Sequence, residues 1–407
     1  TTNQVFVDTT SEPPLRLEDI LFPEIQNYES TYKLWTAYPY DWRYDVFDII
    51  ENGTLRMDGQ RQYLMDVVEK LAEGTGSINI VAHSNGGLLA KALMVKLTEL
   101  GKEDLVEKII LVGSPQLGTP EAVGSLLHGY GQNLLMGFIT SSSVTREVSR
   151  NFPGAYSLLP SPAYFDAADS PVVTSSVTRG IVTNIPDSPI TTHDDLRKFL
   201  VGETFVREEP KPHFIEEPII LNGTLIDKAV DTHQKIESLV ASEQVYEIVG
   251  TGNQTVSGFN YKNFSALRCP KHRLICYMER TIKYSPVLTK SGDGTVLKNS
   301  ASLSSNQLFL DLEEENKGSL FGGTSHKNLL SNESIVRDIN TLLFDEDESL
   351  NLLSEDPSLE VADLISISAH SPVILSAEDT DGNVTSIEYD SDPNIKLLKV
   401  REEISGS

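Results

Sequence analysis

Positive charge is scarce in this chain of 407 residues, which has 33 Lys and Arg against 59 Asp and Glu. Binding to a phosphate backbone needs a basic face, so the formal net charge of −26 argues against nucleic acid as a partner. The same charge argues against electrostatic docking on anionic lipid. Any contact with a membrane would therefore have to be apolar.

Cysteine and long apolar runs are also scarce. The two cysteines of the sequence, Cys269 and Cys276, flank His272 in RCPKHRLIC, which offers too few ligands for a closed zinc site. Their spacing is compatible both with a local disulfide and with two free thiols. No apolar run approaches the roughly 20 residues of a membrane-spanning helix. We therefore predict neither a bound metal nor a transmembrane helix.

Strand and helix patterns alternate between about residues 30 and 120. Apolar strands at 77–84 and 108–115 enclose an amphipathic helix at 86–100, which is typical of a parallel sheet covered on both faces. Residues 121–242 lose this regularity, and their length favours an inserted cap over a plain loop. The pattern then returns, with strands predicted at 244–252, 273–281 and 307–312 and a last helix at 326–344.

These patterns predict an α/β fold with a mainly parallel sheet and a small C-terminal β module. The α/β domain is predicted over residues 1–345, with the cap at about 121–242. An acidic linker at 346–360 leads to the β module at 361–407, where period-two alternation surrounds a DGN turn. A module of this size is too small to be stable without docking on a neighbour.

Ser84 lies in VAHSNGG, where a buried strand meets a helix. A sharp strand-to-helix turn needs small residues on both sides of the serine, and Ala82 and Gly86 supply them in the pattern A-x-S-x-G. The turn would expose the hydroxyl at the carboxyl edge of the sheet, with the backbone N–H of Asn85 as the first oxyanion donor. The alternative is a helix-capping serine, but the strand before it and the helix after it favour a nucleophile.

A serine nucleophile needs a base and an orienting carboxylate, which in this fold follow it in the order Asp or Glu, then His. Of the eight histidines, His326 in FGGTSHKNLL is the best candidate, because it follows a predicted strand and precedes the last helix. Asp293 in KSGDGTVL has glycines on both sides that permit a tight turn. A plain turn aspartate is the alternative, but its place between Ser84 and His326 favours the catalytic role. This chemistry needs no cofactor.

A series of segments in fixed order covers roughly residues 30–345. They are YPYDWR (38–43), VAHSNGG (81–87), LVGSPQLGTP (111–120), YSLLPSPAYF (156–165), ITTHDDLRKFL (190–200), YEIVGTG (246–252), GDGTV (292–296) and GTSHKNLL (323–330). Together they resemble the lecithin:cholesterol acyltransferase family of α/β-hydrolases, which includes lysosomal phospholipase A2 and bacterial lipases. The resemblance implies that Ser84 is the nucleophile, Asp293 the acid and His326 the base.

The resemblance also implies a substrate and a place for it. Family members take an acyl group from a phospholipid or another lipid ester and pass it to water or an alcohol. Residues 121–242 would then form the cap that grips acyl chains and makes transient contact with a lipid surface. Tyr40, Trp42 and Leu117 are the candidate substrate contacts. The neighbours of Trp42, Asp41 and Arg43, are expected to form a structural ion pair.

Two features depart from the family. Its members begin with an apolar strand and a Pro-Gly type of turn that supplies the second oxyanion N–H, whereas QVFVD (4–8) is strand-like but lacks the glycine turn. Either the chain starts downstream of that strand, or the oxyanion hole is built differently. The tail beyond residue 360 resembles β modules of bacterial surface proteins, which favours an extracellular or cell-envelope location.

The main expectation is a serine-dependent lipid ester hydrolase or acyltransferase, of the lipase or phospholipase A type, with an acyl-enzyme on Ser84. A catalytically impaired hydrolase fold that serves as a surface or binding protein is one alternative. An esterase for a soluble, non-lipid ester is the other.

Overall fold

The structure is a computed structural model that describes residues 3–8, 35–56, 59–131, 142–168, 170–175, 188–203, 209–210, 214–237, 244–268, 277–317, 323–344, 350, 353–354, 375–378 and 384–387. The chain divides into two units, Thr1–Leu359 and Glu360–Ser407. Ser84, Asp293 and His326 all lie in the first unit. Within the described residues, no helix has both the length and the apolar character to cross a bilayer.

The strands and helices are as follows. The strands are β1 (Asn3–Asp8), β2 (Trp35–Pro39), β3 (Thr54–Leu55), β4 (Arg61–Gln62), β5 (Ile78–His83), β6 (Val106–Val112), β7 (Val173–Ser175), β8 (Val245–Thr251), β9 (Thr255–Arg268), β10 (Tyr277–Thr289), β11 (Gln307–Asp311), β12 (Leu375–Glu378) and β13 (Val384–Ile387). The helices are α1 (Val46–Asn52), α2 (Leu64–Ala72), α3 (Gly86–Glu99), α4 (Pro120–His128), α5 (Ser142–Ser149), α6 (Pro153–Tyr156), α7 (Pro162–Ala167), α8 (His193–Leu200), α9 (Gly223–Glu237), α10 (Lys298–Ala301), α11 (Leu312–Glu315) and α12 (Glu333–Phe344), with 3-10 turns at Glu103–Leu105 and His326–Ser331.

Six strands form the main sheet in the order β11–β8–β6–β5–β1–β2, and every neighbouring pair is parallel. The predicted α/β class with a mainly parallel sheet is therefore confirmed. Side chains alternate between two apolar clusters: Ile80 and Ile109 point into one, whereas Val81 and Ile110 point into the other. Both faces of the sheet are thus covered. In sheets of this kind, a functional site lies at the carboxyl ends of the strands.

The strand-like segment QVFVD, which lacks the glycine turn of the family, is present in the main sheet as β1. QVFVD pairs in parallel with β2 on one side and with β5 on the other, with Val5 opposite both Thr36 and Ile80. The alternative that this strand is missing was wrong, because strand pairing needs only an extended backbone, whatever turn follows. Since Val7 lies opposite Ala82, the chain leaves β1 beside Ser84. The residues that follow, 9–34, lie outside the described residues.

A second sheet of three strands has the order β10–β9–β7. The sequence pattern predicts a strand at 273–281 within the returning sheet pattern, and this placement is wrong. The strand runs over Tyr277–Thr289 and pairs antiparallel with β9. The connection between β9 and β10 is too short for the crossover that a parallel pair requires. Cys269, His272 and Cys276 lie in that connection, outside the described residues.

The predicted cap, residues 121–242, contributes no described strand to the main sheet. Its described part consists of helices α4 to α9 and of β7, which belongs to the second sheet. In the predicted linker, Leu353 and Ser354 are part of the first unit, where Ser354 pairs with Phe309 of β11 through both backbone groups. In the second unit, β12 and β13 form an antiparallel pair around the predicted DGN turn, which itself lies outside the described residues.

Candidate active site

The backbone turns sharply at Ser84, between the end of β5 and the start of α3. Its φ of +54° lies in the left-handed region, and Ser84 is the one non-glycine residue of the described chain with a positive φ. Such a conformation disfavours a side chain and persists only where its surroundings enforce it. Here the Ser84 N–H donates to the carbonyl of Val112 at 2.9 Å, which ties the turn to the end of β6.

Gly87, the second residue of α3, lets the helix approach the loop after β6 closely. A Cβ on Gly87 would lie 2.1 Å from Oγ of Ser114 and 2.6 Å from its Cβ. Helix α3 can therefore pack against the loop after β6 only with glycine at this position. The two adjacent glycines that follow Asn85 are the signal in the sequence for this close approach.

Ser84, His326 and Asp293 are joined by hydrogen bonds, although Ser84 and His326 are 242 positions apart. Nε2 of His326 lies 2.8 Å from Oγ of Ser84, and its Nδ1 lies 2.7 Å from Oδ2 of Asp293. Asp293 is 1% exposed and His326 is 4% exposed. Because the carboxylate accepts at Nδ1, the proton of the neutral ring lies there, and Nε2 is free to take a proton from the serine.

The loop that carries Asp293 holds its carboxylate in place. Oδ1 accepts from the backbone N–H groups of Thr295 at 3.0 Å and Val296 at 2.8 Å, which leaves Oδ2 for His326. The backbone N–H of His326 donates to the Asp293 carbonyl at 3.0 Å. Asn253, which sequence analysis missed, donates from Nδ2 to the carbonyls of Asp293 and Thr324, each at 3.1 Å. The two loops are thus fixed to each other.

Two glycines at strand ends make space for the Asp293–His326 pair. Gly113, after β6, has φ +56°, and a Cβ there would lie 2.8 Å from Oδ2 of Asp293 and 3.2 Å from Nδ1 of His326. A Cβ on Gly250, in β8, would lie 2.7 Å from Cβ of Asp293. Neither glycine is among the predicted site residues, although LVGS and IVGT each place a glycine where a buried strand ends.

A further carboxyl group, Glu121 in the first turn of α4, is buried near the pair. Burial raises the pKa of Glu121 to about 7; the nearby His326 lowers this pKa and Asp293 raises it. A Cβ on Gly131 would lie 2.4 Å from Oε1 of Glu121, so the carboxyl group abuts the backbone at the end of the described segment 59–131. No sequence motif marks Glu121 as part of the site.

Asn85, the predicted oxyanion donor, is the N-cap residue of α3 and is buried. Among the described residues, none accepts a hydrogen bond from its backbone N–H. Its Oδ1 is likewise buried without a hydrogen-bond partner in the described chain. An N–H at the start of a helix that carries no internal bond is suited to a developing negative charge.

The predicted substrate contacts lie around the large apolar cluster. Tyr40 and Leu117 are buried within it, and Trp42 packs edge-on against Phe152 with 5.8 Å between ring centroids. Their contact with a substrate stays a prediction. The expected ion pair is present, since Nε of Arg43 donates to Oδ1 of Asp41 at 2.7 Å. No group of three or more metal-ligating side chains occurs in the part of the chain that the structure describes.

The parallel sheet and the sharp turn at Ser84 define the protein as an α/β-hydrolase. Residues 27–217, just under half of the chain, match the lecithin:cholesterol acyltransferase family model. Over this range the chain is similar to the lecithin:cholesterol acyltransferase family, which confirms the resemblance seen in its motifs. The match supports an enzyme that hydrolyses or transfers the acyl groups of lipid esters in general.

Two solved structures are similar to the chain. One is from the Tle4–Tli4 complex, with 14% identity and a TM-score of 0.46, and the match covers 77% of this chain and 69% of that one. The other is lipase 1 from Pelosinus fermentans, with 15% identity and a TM-score of 0.24, covering 63% and 68%. No curated protein is significantly similar in sequence.

Proposed function

We propose that the protein is a serine-dependent lipid ester hydrolase or acyltransferase, of the lipase or phospholipase A type, that acts through an acyl-enzyme on Ser84. One observation carries the proposal: His326 lies within hydrogen-bond distance of both Ser84 and Asp293, at 2.8 and 2.7 Å. The strained backbone of Ser84 supports the same assignment, since strain of this kind concentrates at functional sites.

In the acylation step, Nε2 of His326 takes the proton of Ser84 as Oγ attacks the ester carbonyl carbon. The buried carboxylate of Asp293 stabilises the imidazolium that forms, through the bond to Nδ1. The backbone N–H of Asn85 and the N-terminus of α3 face the negative charge on the carbonyl oxygen. When the tetrahedral intermediate collapses, His326 returns the proton to the departing alcohol.

Deacylation repeats these steps with a new nucleophile. His326 takes a proton from water or from an acceptor alcohol, whose oxygen attacks the acyl carbon. Collapse of the second intermediate breaks the bond to Oγ and gives the proton back to Ser84. Water yields a free acid, whereas an alcohol yields a new ester.

The lipid substrate follows from the family match and is supported by an apolar face in the predicted cap. Val144 and Val148, one turn apart on α5, are both exposed, at 49% and 38%. Phe214, whose carbonyl accepts from the buried Arg146 of the same helix at 3.2 Å, is 40% exposed. Because the protein is strongly acidic, contact with a lipid surface has to use apolar groups of this kind.

The test combines a substitution with a covalent probe. Ser84→Ala should abolish hydrolysis of p-nitrophenyl esters and labelling by a fluorophosphonate, while the thermal midpoint stays close to that of the parent. Ser114→Ala, which removes another hydroxyl near α3, is the matched control and should be labelled normally. Equal activity in Ser84→Ala would refute the proposal.

The two alternatives give different results in the same assays. A binding protein on an impaired hydrolase fold would not be labelled at Ser84 although it is folded. A series of esters of increasing acyl length separates a lipid enzyme from a soluble-ester esterase. We expect activity to rise with acyl length, and a preference for the shortest esters would favour the esterase.

A further inference from the structure

His83, the residue directly before Ser84, contacts the backbone of His326. It is the last residue of β5 and is 9% exposed. Its Nε2 lies 2.7 Å from the backbone oxygen of His326, and the centroids of the two rings are 4.9 Å apart. The same short strand end thus carries Ser84 and a side chain that binds the proposed base.

The direction of this hydrogen bond follows from the charge state of His83. Burial, and to a smaller extent the nearby His326, lowers the pKa of His83 to about 3. The ring is therefore neutral at neutral pH and carries one proton. Since a carbonyl oxygen only accepts, that proton lies on Nε2, which donates to His326.

His326 is consequently held by both of its backbone polar groups. Its N–H donates to the Asp293 carbonyl at 3.0 Å, and its carbonyl accepts from His83 at 2.7 Å. His326 is also the first residue of a 3-10 turn, after a glycine-rich loop. A residue in such a place has little regular secondary structure to fix it, so these two bonds define its position relative to Ser84.

We propose that His83 is a positioning residue, which fixes the His326 backbone so that Nε2 faces Oγ of Ser84. The proposal rests on the proposed function, because His83 acts through His326. A displacement of about 1 Å at a reacting group can lower a rate by about 100-fold. A neutral ring also suits this place, since a charged His83 would lie 4.9 Å from the imidazolium that forms on His326.

The chain offers a matched control in His233 of α9. It is 1% exposed, its Nε2 lies 2.8 Å from the carbonyl of Ser157, and burial lowers its pKa to about 4. The two histidines therefore share residue type, burial and kind of bond. They differ in the residue that accepts the hydrogen bond.

The test uses two amides of different length at each position. The amide nitrogen of Gln can reach the place of Nε2 and donate, whereas that of Asn is too short. We expect His83→Asn to lower kcat about 100-fold with KM within about twofold, and His83→Gln to recover at least about tenfold of that loss. His233→Asn and His233→Gln should lower the thermal midpoint without changing kcat by more than about threefold.

Equal kcat in His83→Asn and His83→Gln, or equal losses of kcat at His83 and His233, would overturn the proposal. The proton NMR signal of the His326 Nδ1–H bonded to Asp293 gives a readout that needs no turnover. It should weaken in His83→Asn and persist in both His233 variants, and its persistence in His83→Asn would also overturn the proposal. An unlabelled, inactive parent protein would instead refute the proposed function.

Discussion

Two regions of the first unit each enclose a buried histidine, and they use it differently. At the edge of the main sheet, His326 lies between a carboxylate and a hydroxyl, at 2.7 and 2.8 Å. Between α4 and the second sheet, His128 lies between the carbonyl of Ile215 and the hydroxyl of Tyr261, each at 2.6 Å. His128 also stacks on Tyr284, with 3.9 Å between ring centroids.

The comparison shows that partners, more than burial, decide what a histidine can do. His326 is paired with a carboxylate that can stabilise a positive ring, and with a serine in a strained turn. The described hydrogen-bond partners of His128 are a neutral carbonyl and a neutral phenol, within an aromatic cluster. We therefore expect changes at the sheet edge to affect catalysis, and changes in the aromatic cluster to affect stability.

The largest expected effect is that of Asp293→Asn. The change keeps the size of the side chain, and its carbonyl oxygen can still accept from Thr295 and Val296. It removes the charge that stabilises the His326 imidazolium, so kcat should fall about 10⁴-fold. Ester hydrolysis and a thermal scan together test this. Activity within tenfold of the parent would remove Asp293 from the mechanism.

Gly113→Ala should have the next largest effect. A Cβ there would lie 2.8 Å from Oδ2 of Asp293, so the Asp293–His326 pair must move, and kcat should fall about 100-fold. Gly101→Ala is the control, because Gly101 has a similar φ of +64° but no atom within 4 Å of an added Cβ. Both variants should lose similar stability from backbone strain. Equal kcat values in Gly113→Ala and Gly101→Ala would show that the close approach at Gly113 does not affect catalysis.

In the aromatic cluster, His128→Phe should reduce stability and spare catalysis. Phenylalanine keeps the stacking on Tyr284 but leaves the Ile215 carbonyl without its donor from His128. An unsatisfied buried group costs about 1–3 kcal/mol, which urea unfolding can measure. We expect kcat to change less than about threefold. A loss of catalysis comparable to that of Gly113→Ala would remove the distinction between the two regions.

The sequence contains local signals for some parts of the site and none for others. Ser84 sits between a strand pattern and a helix pattern, and Asp293 and His326 follow in the order that the fold requires, each near glycines. Short apolar runs separated by helix patterns likewise predict the parallel sheet. The signal for each of these features lies within a few residues of it in the sequence, so a local pattern can predict it.

Features that depend on contacts between residues far apart in the sequence could not be predicted in this way. Gly113 matters because Asp293 and His326 come within 3.2 Å of its Cβ position, and those residues are far away in sequence. Asn253 and His83 matter through bonds to backbone carbonyls, which any residue offers. The place of β10 was missed because an alternating strand pattern does not say which sheet the strand joins.

Helix α4 connects the two regions, since Glu121 in its first turn lies near His326 and His128 is its last residue. Burial raises the pKa of Glu121 to about 7, above its ordinary value near 4.5 in the unfolded chain. A raised carboxyl pKa stabilises the folded protein below about pH 4.5, and this contribution is lost as pH rises through about 7.

Glu121→Gln should therefore have the smallest effect of these substitutions, and its effect on stability should depend on pH. The variant should be more stable than the parent at pH 8, by on the order of 1 kcal/mol, and the difference should vanish below about pH 4.5. Thermal midpoints across this pH range test the expectation. The same change removes a negative charge near His326 but no hydrogen bond to it, so kcat at pH 8 should fall less than about tenfold. A difference in stability that is constant with pH would mean that Glu121 does not titrate in this range, and α4 would then connect the two regions by packing alone.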